Sequence, residues 1–330
     1  GGAGFIGSHT AKYLTSNGHE VFVYDFFHQY ILPIRPNFLE NMNYRFNNLL
    51  KDTTIVRGGT NNKDQLRRQI IDINPDSIIH LAALPLANVA LNQTEEAFSG
   101  IVQGTVNLLE ILRDVNSVKR LVYVSSSMIY GDFTQTPMPE NGLKEPKEIY
   151  GSMKLAGEIL VKGFSARHDI PYVIVRPSAV YGPTDNNRRV LQIFIENAIK
   201  GIPIKATNPK TTHLDFTFVE DVAEGLSKIA NSPGIDNKEF NLTRGEGKSL
   251  DDAINLIKNI IPNIEVNTEI KKETFRPNRG ALDITQLKKF VGFTPKHSLE
   301  LGIKKYIEFI KVTYNFSKLS YFYTKIIFFY

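Results

Sequence analysis

The chain has 330 residues, 42% of them apolar and 22% charged, enough for two domains with substantial cores. It contains no cysteine, which excludes disulfides, thiolate metal sites and cysteine nucleophiles and fits a reducing, cytoplasmic setting. The net charge of +5 is scattered, with nothing denser than doublets such as Lys271-Lys272, Lys288-Lys289 and Lys304-Lys305; this argues against nucleic acid and for a small anionic ligand.

The chain opens on Gly1-Gly2-Ala3-Gly4, and Ser8 to Asn17 has a helical pattern that Gly18 stops. Val21 to Tyr24 is an apolar strand ending at Asp25, and a loop-rich stretch then runs to about Leu50. A short strand at Thr54 to Val56 precedes a helix from Lys63 to Ile73, a strand from Ser77 to Leu81 and a helix from Gly104 to Val115. The strand Arg120 to Ser125, the helix Tyr150 to His168 and the strand Tyr172 to Arg176 complete the alternation. Short apolar runs alternating with amphipathic helices predict an α/β fold, a doubly wound parallel sheet covered on both faces, over residues 1–175. Beyond Arg176, helices are expected at Gln192 to Lys200, Val219 to Ala230, Leu250 to Ile260 and Leu299 to Lys311. They predict a smaller α/β domain over 176–312, partly interleaved with the first. Residues 313–330 form an aromatic-rich tail, shorter than the roughly 20 residues that span a bilayer; a packing helix is expected before a membrane-surface contact.

Gly1-x-x-Gly4-x-x-Gly7 leads directly into the first helix. Glycines allow a tight turn and close approach of a pyrophosphate, while a helix N-terminus presents free N–H groups and a positive dipole end. Asp25 ends the next strand, where an acid binds the ribose hydroxyls of a dinucleotide. An acid there repels a 2′-phosphate, and no Arg or Lys is near it in the sequence, so NAD is expected over NADP. A glycine loop of this kind follows a strand, so about six to ten apolar residues are expected before Gly1.

Tyr150-Gly-Ser-Met-Lys154 sets a phenol and an ammonium one helical turn apart. The ammonium is expected to favour the phenolate and so prepare it for proton transfer with a hydroxyl. Tyr314 and Lys318, and Tyr321 and Lys325, repeat the spacing. Only Tyr150 follows a strand, Arg120 to Val124, that runs into Ser125-Ser-Ser-Met-Ile-Tyr-Gly131, and a serine at the carboxyl end of a parallel strand faces the ligand crevice. His80 ends a strand with no second ligand in register and is read as a packed structural histidine; no metal site is expected.

These motifs continue in Asp76-x-Ile-Ile-His80-Leu-Ala-Ala83, Gly104-Thr-x-Asn-Leu-Leu-Glu110, Arg176-Pro-Ser-Ala-Val-Tyr-Gly-Pro183, Asp215-Phe-Thr-Phe-Val-Glu-Asp221 and Phe240-Asn-Leu-Thr243. Together they resemble the extended short-chain dehydrogenase/reductases of the NAD-dependent epimerase/dehydratase group, which act on nucleotide sugars, from Gly1 to about Lys311. The resemblance implies a Rossmann-type sheet, a smaller C-terminal substrate-binding α/β domain and a homodimer. It implies catalysis by Ser126 (four residues before Tyr130), Tyr150 and Lys154. NAD contacts would come from Gly1, Gly4, Phe5, Ile6, Gly7, Asp25, Leu81, Ala82, Ala83, Ser125, Tyr150, Lys154 and Pro177. A hydroxyl on a nucleotide-diphosphate sugar, typically at C4, would be oxidised to a ketone and re-reduced.

The chain also departs from the family pattern. Dehydratases and decarboxylases place acids directly after the catalytic Ser/Thr, where this chain has Ser127 and Met128, which favours an epimerase over a 4,6-dehydratase, a decarboxylase or a reductase. A non-catalytic dinucleotide-binding protein is the reading from another class, and the intact Ser126, Tyr150 and Lys154 argue against it. The adenine-side Gly-Asp pair reads Gly58-Gly59, an asparagine before Gly104-Thr reads Ile101, a diphosphate-side asparagine reads Ala179, and an arginine before Asp215-Phe reads Leu214 beside His213. Substrate contacts are therefore assigned to Ser127 and Met128, with Arg188, Arg189, Arg276 and Arg279 as the candidates to hold the diphosphate.

Overall fold

The computed structural model describes residues 1–28, 36–84, 86–272 and 276–314; the expectation for the aromatic tail falls outside them from residue 315 onward. Gly4 caps α1 (Phe5–Ser16), and Gly18, at φ +83°, follows it. β1 (Phe22–Asp25) comes next. The stretch read as loop then folds as α2 (Pro36–Tyr44) and a π-helical turn, Arg45–Leu49, before β2 (Thr54–Arg57). The cause is tertiary. This helix turns polar side chains inward, with Asn37 Nδ2 donating to Glu196 Oε1 and Asn41 Nδ2 to Asn186 Oδ1, each at 2.7 Å. A face of asparagines carries no apolar period to read.

α3 (Lys63–Ile73) starts where the Asn62 side chain accepts from Gln65 N and ends on left-handed Asn74. There follow β3 (Ser77–His80), α4 (Ala87–Asn92), α5 (Thr94–Phe98), a π-helical turn at Ser99–Gln103 and α6 (Gly104–Leu112). β4 (Arg120–Val124), a 3-10 turn at Ser127–Tyr130, α7 (Ile149–His168) and β5 (Tyr172–Pro177) close this half. β4 and β5 are buried along their whole length, as expected of strands covered on both faces.

The second half contains β6 (Val180–Tyr181), α8 (Val190–Ile199), β7 (Ile204–Thr207), β8 (His213–Asp215), β9 (Thr217–Phe218) and α9 (Val219–Asn231). β10 (Lys238–Leu242), β11 (Gly247–Ser249), α10 (Leu250–Ile260), β12 (Val266–Glu269), α11 (Thr285–Val291) and α12 (Leu299–Thr313) complete it. The main sheet is parallel, in the order β10-β5-β4-β3, with β1 and β2 as a separate parallel pair. Gly1 and Gly2 lie between the two pieces: Gly2 N donates to Tyr24 O, and a Cβ on Gly1 would meet Ala82 N at 2.7 Å. β10 and α9 return from the second half to the sheet, where Val222, Leu226 and Ile229 share a core with Val122, Val124, Val173 and Val175. A second core joins α8, α10 and α12 through Phe194, Ile195, Ile254, Ile257, Ile303 and Tyr306. No helix among the described residues is long and apolar enough to cross a membrane.

Beneath the carboxyl ends of β4, β5 and β10 lies a buried polar network. Arg176, with no exposed surface, donates to both Glu158 oxygens at 2.9 and 2.7 Å, to Tyr130 Oη at 2.9 Å, to Glu140 O at 2.8 Å and to Glu239. Tyr130 in turn donates to Asn241 Oδ1, and the Asn241 amide donates to Met138 O and Asp283 O. Arg176→Met would strand the Glu158 carboxylate in the interior. Chemical denaturation is expected to show a loss of about 3–5 kcal/mol.

Candidate active site

The glycine loop is shaped by close approach of backbone to backbone. A Cβ on Gly7 would lie 2.5 Å from Gly1 O and 2.6 Å from Gly2 O, so only glycine lets the first turn of α1 press against the loop. The amides of Phe5, Ile6 and Gly7 have no acceptor within the helix, and all three residues line the cleft. Asp25 is held at its rim, accepting from Ala3 N at 3.0 Å and Phe27 N at 2.7 Å. The sequence places no cation beside Asp25, but the fold does. Arg57 lies opposite it in strand register, and Arg45 is close enough for the Asp25 charge to act on its guanidinium. Burial holds Arg45 down at about 10, against Asp185 and Asp25. Its guanidinium is engaged by Ala3 O at 3.3 Å and Thr184 O at 2.5 Å, which clamps the glycine loop to the 184 region.

A cleft of about 1200 Å³ runs from Asp25 past the loop to the second half of the chain. Gly1, Gly4, Phe5, Ile6, Gly7, Asp25, Leu81, Ala82, Ala83, Ser125, Ser126, Ser127, Met128, Tyr150, Lys154, Pro177, Arg188, Arg189, Arg276 and Arg279 all line it. Ile101, by contrast, is buried in a cluster with Leu84, Ala90 and Ala97.

Ser126 is extended at φ −160° and its Oγ accepts from Met128 N at 3.2 Å, capping the turn after β4. Ser125 Oγ is buried and has no hydrogen-bond partner among the described residues. Lys154 is buried and donates from Nζ to Val124 O at 2.8 Å; burial pushes its ammonium down to about 8, against the pull of Glu158. Tyr150 is half-buried. Burial raises its phenol above the usual range, opposed by Arg189 and by a hydrogen bond with Ser126. This differs from the expectation that Lys154 sets the phenol. Lys154 is tied to the strand carbonyl, and the cation acting on Tyr150 is Arg189, held by both Asp185 oxygens at 3.1 Å with its guanidinium 5.5 Å from the centre of the Phe5 ring.

Arg188 adopts φ +53° and its guanidinium lies 3.7 Å from Glu196. Arg279 keeps Nε buried with no partner among the described residues, and burial holds it at about 10, with Glu148 pulling up and Arg276 pushing down. Glu148, at the N-cap of α7, also lines the cleft; burial raises its carboxyl, with Arg279 and Arg276 opposing. Glu148 is not among the residues expected from the sequence, although an acid two residues before a Tyr-x-x-x-Lys pair is a signal for it. Arg45 is not among them either; it sits in the stretch read as loop and carries no motif. Lys205, His213, Lys271 and Lys272 extend the basic lining at the far end. His80 is buried against Thr105, with Nε2 3.0 Å from Oγ1, and burial pushes it down to about 3, the state of a packed neutral imidazole. No group of three His, Cys, Asp or Glu that could hold a metal ion occurs among the described residues.

The residues present fit a dinucleotide. Phe5, Ile6 and Gly7, whose amides have no acceptor within the helix, line the cleft, and Ser125 offers an unused buried hydroxyl in the same cleft. Gly7→Ala is expected to weaken dinucleotide binding at least about tenfold in a calorimetric titration, with the fold retained. Lys154→Met removes a buried ammonium and is expected to raise stability by about 1–3 kcal/mol at pH 7. The folded-state value of about 8 lies below that of the unfolded chain, so the unfolded chain holds more protons between the two values. Wild-type stability therefore climbs with pH from 8 upward, and thermal melts should show the advantage of the variant shrinking over that window.

Residues 1–243 match the NAD dependent epimerase/dehydratase family. The chain is 26% identical to UDP-glucuronate 4-epimerase 4 of Arabidopsis thaliana, across 93% of this chain and 73% of that one. It is 25% identical to a UDP-glucose 4-epimerase from Thermotoga maritima solved with UDP-glucose, with a TM-score of 0.84 over 95% of this chain and 97% of that one. It is also 25% identical to a UDP-glucuronic acid 4-epimerase from Bacillus cereus in complex with UDP-glucuronic acid and NAD, with a TM-score of 0.85 over 94% and 98%. A match over residues 1–243 takes in most of the chain, and the protein therefore belongs to the NAD-dependent epimerase/dehydratase family, with NAD as its cofactor.

Proposed function

We propose that the protein is a nucleotide-sugar epimerase that oxidises a sugar hydroxyl, at C4, to a ketone and then reduces it from the other face. The observation that carries this reading is the meeting of Tyr150 and Ser126 in one cleft with the glycine loop and the arginines, with Ser126 and Arg189 easing ionisation of the phenol. The UDP-sugar 4-epimerases to which the chain is similar support it.

NAD, when bound, supplies an acceptor for two electrons that it can later return. The chain's own residues do the rest. Tyr150, as phenolate, takes the hydroxyl proton and later gives it back to the same oxygen. Ser126 hydrogen-bonds that oxygen and keeps it aimed. Arg189 favours the phenolate against the burial that opposes it, and Lys154 would hold the nicotinamide ribose. Arg188, Arg189, Arg276 and Arg279 would grip the diphosphate, so that the sugar can turn while the nucleotide stays anchored. Ser127 and Met128 offer no acid beside Ser126 to expel water, which favours epimerisation. A dehydratase is the second reading, favoured by Glu148, whose raised carboxyl lines the cleft two residues before Tyr150. Exposed Leu91, Phe98 and Ile159, on the neighbouring helices α4, α5 and α7, support a homodimer.

NMR of the chain with UDP-glucose, UDP-glucuronic acid and related sugars is expected to show an epimer of unchanged mass; loss of water would favour the second reading. Tyr150→Phe is expected to lower turnover about 10²–10⁴-fold with NAD affinity nearly unchanged, and full turnover in that variant would refute the proton transfer.

A further inference from the structure

We propose that the Asn61 carboxamide reads the 6-amino group of the adenine of NAD, in place of the acid that the family sets at position 59. The inference rests on NAD binding alone and is independent of the reaction on the sugar.

The turn after β2 is clamped from every side. Gly58 N donates to Asp25 O at 2.9 Å, Tyr24 Oη to Gly59 O at 3.3 Å, and Asn107 Nδ2 to Thr60 O at 2.9 Å. Asn62 N donates to Gly59 O at 3.1 Å, and Asn62 Oδ1 accepts from Gln65 N at 3.1 Å. Within this well-bonded turn Asn61 is exposed, its carboxamide makes no hydrogen bond among the described residues, and it lines the cleft together with Asp25, Phe26, Gly58 and Gly59. A Cβ added to Gly59 would lie 2.5 Å from Asn61 Oδ1 and 3.5 Å from Phe26 Cδ2. A side chain at 59 and the Asn61 amide thus compete for one volume, and the glycine cedes it to the amide.

The surroundings suit a purine. Asp25 is the acid expected at the adenosine ribose, and Phe26, the next residue, is 53% exposed. Its ring is stacked on His28, with centroids 6.2 Å apart and planes 10° apart, and presents an apolar plane beside the amide. A carboxamide can accept from an amino group and donate to a ring nitrogen at once, the two-point pairing that asparagine makes with adenine. A carboxylate at 59 could only accept.

The test is calorimetric titration of the full chain, freed of bound dinucleotide, with NAD and with an analogue whose adenine 6-amino group is replaced by hydrogen. The wild type is expected to bind NAD about tenfold more tightly than the analogue. Asn61→Ala is expected to bind both with equal affinity, at the level of the wild type with the analogue. Asn61→Asp keeps an acceptor oxygen in place and should keep the preference. An unchanged preference in Asn61→Ala, no preference in the wild type, or its loss in Asn61→Asp would each overturn the assignment. Failure of the wild type to bind either dinucleotide would overturn the cofactor reading along with it.

Discussion

One hydrogen bond, from the Lys154 ammonium to the Val124 carbonyl, ties the helix that carries Tyr150 to the end of the strand that delivers Ser126. Lys154 sits one turn after Tyr150, so anchoring it to the last residue of β4 sets where the start of α7 stands relative to Ser125 and Ser126. The anchor costs stability. A buried ammonium with one carbonyl partner is held near 8 because the interior solvates its charge poorly. A site that needs a cation inside a covered sheet accepts that strain, as functional sites commonly do.

The family motifs divide into two physical kinds. The glycine loop, Ser126, Tyr150 and Lys154 line the cleft. Arg176, Tyr130 and Asn241 do not; they form the network below it, and each hydrogen bond in it joins segments far apart in sequence. Asp215 belongs with them, accepting from Thr243 Oγ1, Gly245 N and Leu282 N, although burial lifts its carboxyl to about 7. A floor of satisfied polar groups fixes one arrangement of the loops above it. This explains why polar residues of the motifs stand far from any ligand surface.

Electrostatics in the cleft is shared more widely than the Tyr-Lys pair suggests. Arg189, held by Asp185 and lying against Phe5, acts on the phenol from the glycine-loop side, while Glu148 and Arg279 face each other's charges at the start of α7. A charge 30 or more residues away in sequence acts on Tyr150 as directly as one a turn away, because range in a covered site is measured in ångströms.

The sequence by itself determined what rests on local chemistry. Alternating apolar runs and amphipathic helices set the doubly wound sheet, and strands such as Arg120 to Val124 are legible because burial on both faces demands unbroken apolar residues. The glycine spacing, Asp25, and the Ser126, Tyr150 and Lys154 set are legible because each needs a particular residue type at a particular offset. Tertiary structure alone decided the helix at Pro36–Tyr44, whose inward asparagines bond to residues near 186 and 196, and the return of α9 and β10 to the first sheet. It alone placed Arg45 on the glycine loop, Glu148 beside Arg279, and the Asn61 amide in the space above Gly59. These depend on which side chains meet across long stretches of chain, and periodicity and spacing record only what a residue owes to its near neighbours.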